Sequence, residues 1–187
     1  KCCHGNFFDQ NIQIFFILNS SFKKMLFLIG FIFSVQIMVI LVDEFYFHYR
    51  REIPRWERIG HPLDTLTVLA CYGYALSFEY SPQTVGPFIG MALFSTIFVT
   101  KDEFVHAKYC DPGEHWLHAV LFAFHPLVLL AIAALWTGVS ARNPLGLPTV
   151  VAGVPLKIML IAQCLLTGVF GIYQTVYWNW ICRNRPA

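Results

Sequence analysis

Acidic and histidine residues occur in the same order at two places in the sequence. Each copy begins with Asp-Glu-Phe, continues with a histidine and a proline, and ends with Glu-x-x-x-His. The first copy comprises Asp43-Glu44-Phe45, His48, Pro54, Glu57 and His61, and the second comprises Asp102-Glu103-Phe104, His106, Pro112, Glu114 and His118. The copies start at residues 43 and 102 and end at residues 61 and 118, so they lie about 58 residues apart. This agreement predicts an internal repeat.

The spacing within each copy favours metal binding. Glu44 and His48 are four residues apart, and Glu103 and His106 are three apart, so each pair shares a helix face. Ionisable groups buried at low dielectric must pair or coordinate a cation, and carboxylate and imidazole ligands suit iron, manganese or zinc. The predicted ligands of two metal ions are Glu44, His48, Glu57, His61, Glu103, His106, Glu114 and His118. Glu57 and Glu114 are also the predicted catalytic residues.

Glutamate and histidine ligands from four helices are typical of di-iron carboxylate proteins. The predicted site resembles the ferritin-like di-iron proteins in ligand chemistry, and this resemblance implies iron, with zinc and manganese as alternatives. Of the pairs here, only Glu103 and His106 have the Glu-x-x-His spacing of those proteins. The predicted carriers are membrane spans, so the resemblance concerns chemistry and not family membership.

Several residues near the motif have two interpretations. His125 lies two helical turns beyond His118 and is either an additional metal ligand or a histidine at a helix kink, since Pro126 follows it. Asp64 either orients the ring of His61 or caps a helix. A purely structural alternative is that the acids form salt bridges with neighbouring arginines, which explains the charge but not the repetition.

The composition predicts that lipid surrounds most of the chain. Of its 187 residues, 57% are hydrophobic and 13% are charged, whereas about 25% charged residues is usual in soluble domains. Five apolar runs are candidate membrane spans, since about 20 helical residues cross a bilayer core. They are residues 25–43, 64–80, 84–100, 116–137 and 152–178, the second being the least apolar. The predicted fold is therefore an all-α, polytopic membrane helix bundle.

The repeat divides the chain into predicted units. Residues 25–80 and 84–137 form two tandem helical hairpins related by an axis along the membrane normal. Residues 150–182 form the fifth transmembrane helix, and 183–187 form a tail. Residues 1–24 precede Met25 and are interpreted as a non-native or disordered extension. The aromatic residues that end the last span, including Trp178, are predicted to form an interfacial belt.

Basic residues flank the motif copies. By the positive-inside rule, this side of the protein is predicted to face the cytoplasm. The predicted location is a bacterial inner membrane. The small net charge of +2 gives no indication of a nucleic-acid partner. The six cysteines form no CxxC pair that would indicate a zinc ribbon.

The leading functional hypothesis is a di-iron membrane oxidoreductase of the oxygenase or desaturase type that acts on a lipid-like substrate. The sequence lacks a G-x-G-x-x-G fingerprint, so a separate electron donor is expected. The alternatives are a zinc-dependent membrane hydrolase, in which a glutamate acts as base, and a metal-binding or structural membrane protein without catalysis.

Overall fold

A computed structural model describes the backbone of residues 5–50, 53–104, 110–140 and 149–182. Within the helical residues 5–19, 21 and 149–153 only the backbone is described. The described parts are helical, with no strand among them, which confirms the predicted all-α bundle.

Five helices follow one another along the chain. They are α1 (Gly5–Val42), α2 (Arg55–Ser77), α3 (Pro82–Val99), α4 (Pro112–Val139) and α5 (Thr149–Val176). Helix α1 continues into a π-helical turn, Asp43–Phe47, and α5 continues into another, Tyr177–Ile181. A 3₁₀ turn, Thr100–Asp102, extends α3. Because α1 begins at Gly5, much of the predicted N-terminal extension is helical in the structure.

Helix boundaries follow local sequence chemistry. Ser81 begins α3 with a capping box, in which its hydroxyl accepts from the Thr84 N–H and its own N–H donates to Thr84 Oγ1. Proline occupies the first position of both α3 and α4, where its missing N–H has no intrahelical acceptor. Four residues, 78–81, link α2 to α3.

Four segments are long and apolar enough to cross a membrane, which indicates an integral membrane protein. They are Phe22–Phe47, Pro82–Asp102, Pro112–Val139 and Val154–Ile181. The predicted span 64–80 lies largely in α2, which forms but is not among these four. Its first turns carry Arg55, Glu57, Arg58 and Asp64, and the helix packs against α3, α4 and α5.

The bundle has an apolar outer surface, and its interior has an apolar part and a polar part at opposite ends. Large hydrophobic side chains such as Phe27 and Leu130 face outward, as lipid contact requires. The apolar core surrounds Trp136, whose Nε1 donates to the Phe78 carbonyl at 2.7 Å near the α2–α3 turn. The opposite end of the bundle holds most of the buried acidic and histidine residues.

Candidate metal centre

Four elements bring the buried acids and histidines together. The π turn after α1 supplies Asp43 and Glu44, with His48 directly after it. Helices α2 and α4 supply residues from their first turns, and the 3₁₀ turn supplies Asp102. The acidic and histidine residues that are no more than 2% exposed are Glu44, His48, Glu57, Asp102, Glu114 and His118, and Asp43 is 6% exposed. The described residues of the two motif copies therefore meet at one end of the bundle.

One group of potential ligands comprises Asp43, His48, Glu114 and His118. His118 Nε2 lies 3.0 Å from Asp43 Oδ1, and His48 Nε2 lies 3.4 Å from Asp43 Oδ2 and 3.8 Å from Glu114 Oε1. One ligand atom from each of the four lies within 4.8 Å of the others. Two ligands with metal bonds of about 2 Å lie at most about 4 Å apart. A contraction of less than about 1 Å would therefore close this group around one ion.

Three further groups overlap the first one. They are His48, Glu57 and His61; Glu57, Cys110 and Glu114; and His61, Asp64 and Asp102. Because neighbouring groups share residues, the acids and histidines form one continuous cluster. Such a cluster could hold one metal ion or more.

The closest contacts between the two copies are reciprocal. Asp43 of the first copy lies 3.0 Å from His118 of the second. Asp102 of the second lies 3.6 Å from His61 of the first. A pseudo-twofold arrangement would produce this exchange, although superposition of the two hairpins stays a prediction.

A close approach between α2 and the 3₁₀ turn places Asp102 in the cluster. A Cβ on Gly60 would lie 3.2 Å from Asp102 Oδ1, so the absence of a side chain at residue 60 permits this contact. Lys101 Nζ lies 2.6 Å from Asp64 Oδ1 and 3.0 Å from Asp102 Oδ1. Asp64 thus contacts Lys101 and is itself a potential metal ligand. These roles differ from the two predicted ones, which were to orient the His61 ring or to cap a helix.

Glu44 connects the cluster to α5. The indole N–H of Trp178 donates to Glu44 Oε1, and Glu44 Oε2 lies 3.5 Å from His48 Nδ1. Glu44 belongs to none of the potential ligand groups among the described residues. It is placed to orient His48. Trp178 is 8% exposed, so it is part of the site and not of an interfacial belt.

Two predicted ligands lie away from the cluster, and a third falls outside the described residues. The carboxylate of Glu103 is 44% exposed and accepts from His115 Nε2 at 2.7 Å. His125 Nε2 is 2.9 Å from the hydroxyl of Ser95 and belongs to no described ligand group. His106 lies in the segment 105–109, outside the described residues.

The sequence interpretation missed Asp43, Asp102, Cys110 and Trp178. The aspartates were present in both Asp-Glu-Phe runs. Adjacent helical residues point about 100° apart, so in a regular helix one acid of each pair faces the interior, and the sequence does not say which. The π turn buries both Asp43 and Glu44, while the 3₁₀ turn buries Asp102 and leaves Glu103 outside.

The pKa values of the two central imidazoles shift in opposite directions. Burial lowers the pKa of His48, but its contacts with Glu44 and Asp43 outweigh burial and raise that pKa above the usual value. Burial and the nearby His48 lower the pKa of His61 to about 4, despite Asp102 and Asp43. The two ring centres are 5.0 Å apart. His61 is therefore neutral near pH 7, and the neutral form of an imidazole is the one that binds metals.

A cavity of about 320 Å³ extends from the cluster into the bundle. Its cluster end is lined by Asp43, Glu44, His61, Asp64, Asp102 and His118. Most of the remaining lining is apolar, including Phe33 and Phe122. This volume lies in the range of about 300–1,000 Å³ that is typical of small-molecule sites.

No protein-family model, curated protein or solved structure matches the chain. The arrangement itself defines a membrane helix bundle in which buried aspartate, glutamate and histidine residues could hold a metal ion beside an apolar cavity.

Proposed function

We propose that the protein is a metal-dependent membrane oxidoreductase, of the oxygenase or desaturase type, that acts on a lipid-like substrate. One observation carries this proposal: the buried Asp/Glu/His cluster lies at the end of a largely apolar cavity between membrane-spanning helices. A lipid chain in this cavity would have its reacting carbon beside the ligand groups.

The reciprocal contacts support an assignment of two metal ions. Asp43 and His118 would hold one ion, and Asp102 and His61 would hold the other. Glu57 and Glu114 share a ligand group with Cys110 and would lie between the two positions. His48 belongs to two of the groups and could complete either position. Hard oxygen ligands with imidazole favour iron or manganese over a thiolate-rich zinc site.

A pair of redox-active ions bound there would supply oxygen activation. The protein residues would fix the ligands, orient the substrate and exclude water. Glu44 holds the His48 ring and is itself held by Trp178, while Lys101 offsets negative charge at Asp64 and Asp102. Apolar walls exclude water from a bound chain. Electrons would come from a separate donor, since the sequence lacks a dinucleotide fingerprint.

Metal content and oxygen consumption test the proposal together. The protein is purified without chelators, placed in lipid nanodiscs and analysed for metals by mass spectrometry. We expect about two irons per chain and, with a chemical reductant, lipid-dependent oxygen uptake that leaves hydroxylated or desaturated lipid. Glu114→Gln should lose both metal and activity. Glu79→Gln is the control, because Glu79 is exposed at the opposite end of the bundle.

Other results would identify the alternatives. Zinc as the bound metal, with lipid hydrolysis that requires no oxygen, would support a membrane hydrolase in which a glutamate acts as base. A protein that purifies with no metal, and takes up none from ferrous, manganous or zinc salts, would refute the metal-dependent proposal and leave a structural role.

A further inference from the structure

A second polar layer lines the cavity two helical turns from the metal cluster. Gln36, His125 and Thr167 belong to three different helices and all line the cavity. Each is seven residues from a residue at the cluster end of the cavity: Asp43, His118 and Gln174, respectively. Seven helical residues rise about 10 Å. The three polar side chains therefore lie at similar depth, about 10 Å from the cluster.

The layer between them and the cluster is largely apolar, and its polar member is Thr65 of α2. It includes Ile40 of α1, Leu121 and Phe122 of α4, and Phe170 of α5. Polar side chains inside a membrane bundle are costly unless they bind one another, water or a ligand. A polar layer beyond an apolar one, continued on α5 by Gln163, indicates a ligand that has the same alternation.

Two observations indicate that this layer binds a hydrogen-bonding group. The buried Oε1 of Gln36 has no hydrogen-bond partner among the described residues, and burial of such an atom without a partner is unfavourable. The His125 ring is fixed through Nε2 by Ser95, whose hydroxyl lies 2.7 Å from that of Thr67. This chain of hydroxyls on α2 and α3 holds the imidazole against the cavity.

We propose that the cavity binds a neutral, single-chain lipid whose hydroxyl or carbonyl group contacts Gln36, His125 and Thr167. None of these three side chains carries a fixed charge, which disfavours a phosphate or a carboxylate at this depth. The chain would extend from this group through the apolar layer to the cluster. A span of about 10 Å corresponds to roughly eight carbon–carbon bonds of about 1.5 Å in zigzag. The polar layer would thus select which carbon faces the metals, a conclusion that rests on the proposed function.

Photo-crosslinking tests the binding itself, with no need for catalysis. Three probes of equal length carry a diazirine at one end of a twelve-carbon chain and a hydroxyl, a carboxylate or only hydrogen at the other. They are added to nanodiscs of chelator-treated and of iron-loaded protein. Crosslinked peptides are then identified by mass spectrometry. Unlabelled dodecanol serves as the competitor.

The alcohol probe should label cavity residues of α1 and α4 in both preparations, saturably, and at least about tenfold better than the alkane probe. Gln36→Leu and His125→Phe should each reduce this labelling about tenfold. Ser34→Ala is the control, because Ser34 lies on the same helix as Gln36 but is exposed, and its hydroxyl donates to the Gly30 carbonyl. Size-exclusion profiles establish that each variant is folded.

The selectivity of the wild-type protein decides the proposal even if a variant fails to fold. Equal labelling by alcohol and alkane would overturn the polar-layer assignment, and preferred labelling by the carboxylate would overturn the neutral ligand. Failure of the proposed oxidoreductase activity is distinguishable, because it would appear as absent iron or absent oxygen uptake while alcohol binding persists.

Discussion

The adjacent acids Asp102 and Glu103 should differ sharply in their effect on metal binding. Asp102 is 2% exposed and lies 3.6 Å from His61 Nδ1, whereas the Glu103 carboxylate is 44% exposed and contacts His115. Asp102→Asn and Glu103→Gln each remove one charge at nearly constant size. The sequence motif alone predicted Glu103 as a ligand, and the structure favours Asp102.

The expected magnitude follows from these environments. Loss of an outer-shell partner usually weakens metal affinity about 10–100-fold, so loss of a direct anionic ligand should cost at least about 100-fold, or about 2.8 kcal/mol. Asp102→Asn leaves Lys101 paired with Asp64, so its main effect should fall on the metal. Glu103→Gln removes a surface ion pair, which contributes about 0–1 kcal/mol to stability and nothing to the cluster.

Competition with chelators of graded affinity measures the effect. Each variant is equilibrated with ferrous or manganous ions and a chelator series, and bound metal is determined by elemental analysis. Wild type and Glu103→Gln should give matching curves, while the Asp102→Asn curve should shift by two decades or more. Equal loss in both variants, or full retention by Asp102→Asn, would refute the assignment of Asp102 to the site.

Three other outcomes are expected. Chelation should lower thermal stability, because a metal present at 1,000 times its dissociation constant stabilises the folded state by about 4 kcal/mol; an unchanged melting temperature would contradict this. Metal affinity should fall as the pH drops through the raised pKa of His48, by about tenfold per pH unit for one displaced proton. Glu44→Gln removes a carboxylate that raises this pKa, so it should move the fall in affinity to lower pH. A titration of metal affinity from pH 5.5 to 8.5 with a competing chelator checks both expectations. Trp178→Phe should destabilise the protein by about 1–3 kcal/mol and weaken metal affinity about 10–100-fold, because it removes the donor to Glu44. Trp136→Phe, which loses only the bond to the Phe78 carbonyl at the other end, should destabilise without changing metal affinity.

The charge distribution explains why a bound cation would matter to this fold. Asp43, Glu44, Glu57, Asp102 and Glu114 are all buried at one end of the bundle. Lys101 Nζ lies 3.0 Å from Asp102 Oδ1. Carboxylates so close together repel one another at low dielectric unless they are protonated or share a cation. A dication neutralises several of them at once and fixes their geometry.

The sequence by itself determined the helical membrane class. Apolar runs of about 20 residues must form helices in lipid, because the backbone has no other way to satisfy its hydrogen bonds there. The repeated order of acids and histidines also indicated that both connections contribute to one site. The structure brings His48, Glu57, His61, Glu114 and His118 close together, since i, i+4 pairs at helix ends project in a common direction, and their role as metal ligands stays a prediction.

The tertiary structure decided which residues of the two acidic pairs are buried. A π turn after α1 and a 3₁₀ turn after α3 rotate the two Asp-Glu-Phe runs differently. Both Asp43 and Glu44 are therefore buried, while of the second pair only Asp102 is. The close approach of Asp102 to Gly60 of α2, which depends on how the helices pack, helps to bury Asp102. Sequence spacing gives the angle between neighbouring side chains, but the rotation of each helix about its own axis is set by its contacts with the others.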